Sequence, residues 1–183
     1  MLTYEKILAN AECVAGMAGD KNHYERTFSG LLVESSVQAL AVDETRRPVL
    51  NGVQLKNFDF LINGLDAVWA LDLKGRRDRP WVTRTDLFSM MGWKTLLGDA
   101  VETGFVFAFF CPDAEVSTRM LQLDAHVHET PVGVYRFCVL PVGEAQRIAR
   151  QRSKKWGTFG FEWGAFARAV VPLDAVLPLS LPV

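Results

Sequence analysis

Cysteine is scarce in this chain of 183 residues: Cys13, Cys111 and Cys138 are odd in number, form no CxxC pair and lie among apolar neighbours. They read as reduced, buried thiols and not as a disulfide framework. Long apolar runs are missing too. The longest, "GFVFAFF" at 104–110 with Cys111 after it, falls far short of the roughly 18 residues that span a bilayer. Near the N-terminus, Glu5 and Glu12 interrupt a weakly apolar stretch, unlike the h-region of a signal peptide, so a cytoplasmic location is expected, with no membrane partner.

A dominant charge is also lacking. The formal net charge of -1 and pI near 6.3 give no general attraction to nucleic acid, so any polyanion site must come from local patches. No GxxxxGK[ST] loop, GxSxG elbow or HExxH motif occurs, which argues against a P-loop NTPase, an α/β-hydrolase and a zincin. Internal repeats and low-complexity tracts are absent as well.

What is present is the composition of a globule, 49% hydrophobic and 22% charged, enough to bury a sizeable core in one domain over residues 1–183. Residues 3–18 keep a helical period through Tyr4, Ile7, Leu8 and Ala11. A second helix starts near Asn22, with Tyr24, Phe28, Leu31 and Leu32 as its apolar stripe. "ALAVDE" (39–44) predicts a strand, and strands at about 56–62 and 67–74 flank Asn63-Gly64, a hairpin signal. A helix capped by Thr83 or Thr85 should run to about Leu97. Strands follow at 104–110 and 132–140, then a helix from Gly143 to about Ser153, a short strand or loop, and a last helix. The tail after Val171 is apolar but broken by prolines, so it should lie on the domain or on a neighbour. This order predicts an α/β fold, a mixed central sheet with helices on both faces.

The hairpin "FDFLINGLDAVWALDLKGR" (58–76) carries charge inside its apolar runs. Side chains alternate along a strand, so Phe58, Phe60 and Ile62 share one face, as do Trp69, Leu71 and Leu73. Making these faces coincide puts Asp59, Asp72 and Lys74 together on the other side. Register stays open. A two-residue Asn63-Gly64 turn would set Asp59 opposite Val68, whereas a four-residue loop, 64–67, would bring it opposite Asp72. In the second register two carboxylates converge and repel unless a cation lies between them or one is protonated. Their oxygens suit Mg²⁺ or Mn²⁺, with the Leu73 carbonyl as a further ligand, and Lys74 stands where it can orient water. The alternative is an edge-strand Asp72–Lys74 pair in solvent.

Around this hairpin the chain resembles the PD-(D/E)XK nuclease superfamily. The likeness rests on Glu25 in "HYERTF", the strand "ALAVDE", Asp59 in "KNFDF" and "DLK" at 72–74. It covers about residues 22–76, more loosely the core to 111, with 132–183 as a C-terminal elaboration. The "ER" and the Asp59-to-Asp72 gap are similar to archaeal Holliday junction resolvases. The opening "HYE..F" is similar to uncharacterised bacterial proteins of HYExAFE type, although Ser29 replaces their second Glu and no proline precedes Asp59. The resemblance implies a restriction-endonuclease-like fold and Mg²⁺-dependent (or Mn²⁺-dependent) cleavage of DNA. By it, Asp59 and Asp72 bind the metal, Lys74 assists catalysis, and Glu25 holds a metal-bound water or a second ion. It admits a homodimer, which symmetric cutting by a resolvase needs. A nuclease-like fold that no longer cuts, serving as a nucleic-acid- or protein-binding module, is the competing expectation.

Other features carry plainer readings beside functional ones. Asn22-x-x-Glu25 is a capping-box pattern, in which Glu25 serves the helix start. The basic runs "KGRRDR" (74–79) and "RIARQRSKK" (147–155) offer Arg76, Arg77, Arg150, Arg152, Lys154 and Lys155 for phosphate contact, or are a solvated turn and helix end. Trp156, Phe159, Phe161 and Trp163 follow the second run, as base-stacking groups or as core. Asp124, His126 and His128 alternate along an extended segment, either as metal ligands or as exposed polar residues. His23 is a phosphate contact or a surface residue.

Overall fold

Asn22 caps helix α1 (His23–Glu34), its Oδ1 accepting the amide protons of Tyr24 and Glu25. The computed structural model describes residues 22–43, 45, 47–112 and 118–179, so the helix expected over 3–18 and Cys13 lie outside the described residues. After α1 come strand β1 (Ala39–Ala41), a small hairpin β2 (Val49–Leu50) and β3 (Val53–Gln54), and the hairpin β4 (Phe60–Asn63) and β5 (Val68–Arg76). Strand β6 (Trp81–Thr83) leads into helix α2 (Arg84–Leu97), strand β7 (Val101–Cys111) and a single turn α3 (Thr118–Leu121). The remainder is β8 (His126–Thr130), β9 (Gly133–Pro141), α4 (Val142–Ile148), β10 (Ala149–Ser153), β11 (Thr158–Phe161), α5 (Trp163–Ala169) and β12 (Val171–Pro172).

The main sheet runs β1-β4-β5-β7-β9-β12, with β8 also on β9. Strands β5 and β7 are parallel, because α2 carries the chain across between them, and the other pairs are antiparallel. This is the mixed α/β class that the sequence predicts, a mixed central sheet with helices on both faces. Below one face α1 buries Phe28, Leu31 and Leu32 against Phe60, Ile62, Leu71 and Leu73. The described part of the tail, to residue 179, joins this core through Leu173, Val176 and Leu177. On the other face Leu87 and Met90 of α2, with Ala145 of α4 and Phe166 of α5, pack on Ala70, Phe105 and Phe107. Phe166 meets Phe107 edge to face, ring centroids 5.0 Å apart. Cys111 and Cys138 are free and buried.

Three expectations change. The helix expected from Gly143 to Ser153 stops at Ile148; residues 149–153 pair with β11, which pairs with β6, in a separate three-stranded sheet. Phe58 lies before β4 and joins the α2 core, not that of Phe60 and Ile62, because the alternation starts only at residue 60. And β5 lies between β4 and β7, so the Asp72–Lys74 pair belongs to a central strand instead of a solvated edge.

The packing of α1 on β5 depends on a glycine. A Cβ built on Gly75 would lie 2.2 Å from the Tyr24 ring, and Tyr24 Oη donates to the Arg76 carbonyl at 3.3 Å. Gly75→Ala must therefore push the helix start off the strand, an overpacking cost of about 1–3 kcal/mol. Urea titration should show that loss, and a Tyr24→Ala background should abolish most of it; equal losses in both backgrounds would show that the ring is not the obstacle.

Candidate functional site

The hairpin register answers the question left by the sequence. Asn63 pairs with Val68 and Phe60 with Leu71, so the connection is the four-residue loop 64–67 and Asp59 falls opposite Asp72. The loop is held by Gly64 N–H to the Ala67 carbonyl and Leu65 N–H to the Val176 carbonyl, both 2.9 Å. Gly64 is needed there because a Cβ would lie 2.7 Å from each of those two carbonyl oxygens. Just before β4 the Asp59 amide donates to the Leu71 carbonyl at 3.0 Å, the Asp59 carbonyl accepts from the Val42 amide at 2.9 Å, and the side chain adds a third tie, Oδ2 accepting the Leu73 amide proton at 2.6 Å.

Asp72 and Lys74 point to the face covered by α2. They are buried there, with side chains 1% and 8% exposed. Lys74 Nζ lies 2.5 Å from Asp72 Oδ2 and 3.1 Å from Asp86 Oδ1. Lys56 Nζ lies 3.2 Å from Asp72 Oδ1 and 3.3 Å from Asp86 Oδ1. Two ammonium groups thus alternate with two carboxylates in a closed quartet, and Asp59 is a third carboxylate beside it.

The electrostatics follow from that count. Burial, reinforced by the charge of Asp72, pushes the Asp59 carboxyl up to about 8, against the opposing pull of the Leu73 amide and the two lysines. Burial also works against ionised Asp86, but Lys74, the Thr83 hydroxyl and Lys56 outweigh it and hold that carboxyl at about 2. For Lys56, burial is outweighed by Asp72, Asp86 and Asp59, which raise its pKa above the ordinary lysine range.

Lys56 and Asp86 are partners that the sequence reading does not single out. Asp86 had a local signal. Thr83-x-x-Asp86 is a capping box, in which Thr83 Oγ1 accepts the Asp86 amide and Asp86 Oδ2 accepts the Thr83 amide, leaving Oδ1 for the lysines. Lys56 had none, since residues 55–59 are irregular; its position is set by its amide bond to Ser89 Oγ and by Trp93 Nε1 donating to its carbonyl.

The other candidate residues lie elsewhere. Glu25 accepts from Asn22 Nδ2 at 3.0 Å in the first turn of α1, the helix on the opposite face, and the structure does not bring it to Asp59 and Asp72. Arg76 is turned inward: Nε and Nη2 donate to the Trp81 carbonyl, Nη1 to that of Gly75, and the guanidinium stacks 3.8 Å from the Trp81 ring. Burial lowers its pKa to about 10. Arg77, Arg150, Arg152, Lys154 and Lys155 are exposed. His126 Nδ1 lies 3.5 Å from Asp174 Oδ2, while His23 Nδ1 is 2.7 Å from the buried Tyr135 hydroxyl. Among the described residues no group of three or more His, Cys, Asp or Glu side chains is placed to hold a metal. No described helix is long and apolar enough to cross a membrane.

No protein-family model and no curated protein matches the chain. Among solved structures it is similar to Hjc, a Holliday junction resolvase from the archaeal hyperthermophile Archaeoglobus fulgidus. The TM-score is 0.46 at 10% identity, over 83% of this chain and 95% of that one.

Proposed function

We propose that the protein is a metal-dependent endonuclease of PD-(D/E)XK type that hydrolyses phosphodiester bonds in DNA. The observation that carries this reading is the third carboxylate: Asp59 is held opposite Asp72, its pKa raised by burial and by the charge of Asp72 beyond what the two lysines offset. Two carboxylates fit Mg²⁺ or Mn²⁺, since such ions take hard oxygen ligands and Mg²⁺ keeps several waters, so few protein donors suffice. Asp59 and Asp72 would hold the ion, with the Leu73 carbonyl as a further donor; bound there, it would polarise the scissile phosphate and supply an activated water.

The chain's own groups do the rest. Asp86 and Asp72 fix the Lys74 ammonium from two sides, so it can orient a water without a search through rotamers. Lys56, with 23% of its side chain exposed, is the ammonium of the quartet more open to an incoming phosphate. Arg77, Arg150, Arg152, Lys154 and Lys155 would pair with the backbone further away. Incubation of varied DNA forms with Mg²⁺ or Mn²⁺ tests the proposal: wild type should cut and Lys74→Ala should be at least about a hundredfold slower. Equal inertness of the two would end the enzyme reading.

A second reading has its own observation. Each Asp72 oxygen already faces an ammonium, so the quartet is neutral without a metal, as suits a nuclease-like fold that binds nucleic acid or protein and does not cut. Calorimetric titration with Mn²⁺ separates the two: binding lost in Asp59→Asn and Asp72→Asn supports the enzyme, and no such binding supports the module.

A further inference from the structure

Among the described residues two aromatic side chains are exposed, Trp156 at 73% and Phe88 at 51%. They lie far apart in sequence, on two segments that join at one junction. Trp156 is in the turn between β10 and β11; Phe88 is on the first turns of α2; and the Arg84 amide donates to the Gly157 carbonyl at 2.6 Å, locking the turn to the helix start. The turn is preorganised. Gly157 has φ +54°, a left-handed conformation that glycine adopts without a Cβ penalty, and the Trp156 amide donates to Ser153 Oγ at 3.2 Å.

Every other aromatic of this segment is spent on the core: Phe161 is buried, and Trp163 packs edge to face on Phe109. Trp156 is not. Each exposed ring also has a cation at hand, Lys155 Nζ 5.3 Å from the Trp156 ring and the Arg84 guanidinium 5.4 Å from Phe88. Around them, residues 147–158 contain Arg147, Arg150, Arg152, Lys154 and Lys155 and no Asp or Glu. Of these Arg147 is paired with Glu144. Arg152 extends along Gly160, its guanidinium 5.4 Å from the Trp81 ring. Arg150 and Gly160 are cross-strand partners, and so are Gly160 and Trp81, so the outward face of the small sheet presents arginines over a flat glycine.

Paired duplex offers phosphates to such a surface but keeps its base faces stacked. An unpaired strand offers both, and successive bases stack on exposed rings while cations follow the backbone. We infer that the Trp156–Phe88 junction is a stacking platform for unpaired bases, and that the substrate of the adjacent site carries a single-stranded segment. This rests on the nuclease reading for the word substrate, though not for the binding. The platform is close to the quartet by construction, because Arg84 lies two residues before Asp86 in the same helical turn.

The test is fluorescence anisotropy of the full chain, in EDTA, with a single-stranded oligonucleotide, a blunt duplex, and that duplex with a single-stranded tail. Trp156→Ala and Phe88→Ala should each weaken binding of the strand and the tailed duplex by about fivefold or more, with little change on blunt duplex. Arg150→Ala with Arg152→Ala should weaken all three and flatten the salt dependence. Unchanged affinity in Trp156→Ala, or equal losses on strand and duplex, would overturn the platform. Turnover plays no part in the readout, so an inert Asp59–Asp72 site leaves this result standing, and a cutting enzyme with unchanged Trp156→Ala binding loses only this inference.

Discussion

On the proposed nuclease reading Asp72→Asn abolishes metal-dependent cleavage, and the substitution is expected to lower stability by about 3 kcal/mol near pH 4, and by less near neutrality. The stability loss follows from the quartet. Asp72 neutralises one of two ammonium groups in a site where it is 1% exposed, and removing one member of a buried charge network leaves the other uncompensated, at about 3–5 kcal/mol. Asp86 remains on both lysines, which puts the loss at the lower end. The pH dependence follows from Asp59. Without its like-charged neighbour, this carboxyl titrates closer to the ordinary range, so near neutrality it ionises and stands in for Asp72. Urea midpoints of wild type and variant at the two pH values measure the difference. A loss that is the same at both, or larger at neutral pH, would show that Asp59 does not couple to the lysines.

Asp59 also sets a pH dependence in the unaltered protein. Unfolded, it titrates near about 4; folded, near about 8. Between these values the folded chain holds a proton that the unfolded chain has released, so this group makes stability fall as pH rises from about 4 to about 8, by at most about 1.4 kcal/mol per pH unit. Asp86 works with the opposite sign: its folded value of about 2 gives stability that is full above the unfolded value and lost as pH falls through the folded one. Asp59→Asn should flatten the upper slope and leave the acid limb alone. Mn²⁺ adds a separate check. If the Asp59–Asp72 pair takes the ion, saturating Mn²⁺ should raise the midpoint in wild type, more so at pH 8 than at pH 5, and should leave Asp59→Asn unmoved. A slope that persists in Asp59→Asn would assign it to another group.

Much of this site was legible because strands alternate. Trp69, Leu71 and Leu73 form a row whose burial is worth roughly 1.5–3 kcal/mol per large side chain, and that row forces Asp72 and Lys74 to the opposite face whatever the loops do. The α2 cap was legible for the same kind of reason, as Thr83 needs only residues in its own turn. The second basic run was harder to place. "RIARQRSKK" has no strand pattern of its own, and its second half is a strand because β11 and β6 provide the hydrogen bonds. Trp156 could not be told from Phe161 or Trp163 by composition; the Gly157 turn and its bond to Arg84 decide which ring faces water.

The sequence by itself determined the fold class, the face on which the charged residues sit, and that two carboxylates would need compensation there if the register set them opposite each other. Those are consequences of periodicities of two and 3.6, and of charge, that no tertiary contact can reverse cheaply. Tertiary structure alone decided the register, because the 64–67 loop is held from the far end of the chain by the Val176 carbonyl. It also decided that the charged face lies beneath a helix and not in solvent, which brings Asp86 and Lys56 to Asp72 and Lys74. Contacts between residues that are distant in sequence leave no periodic trace, so a buried ion-pair network appears only once the elements that carry it have packed.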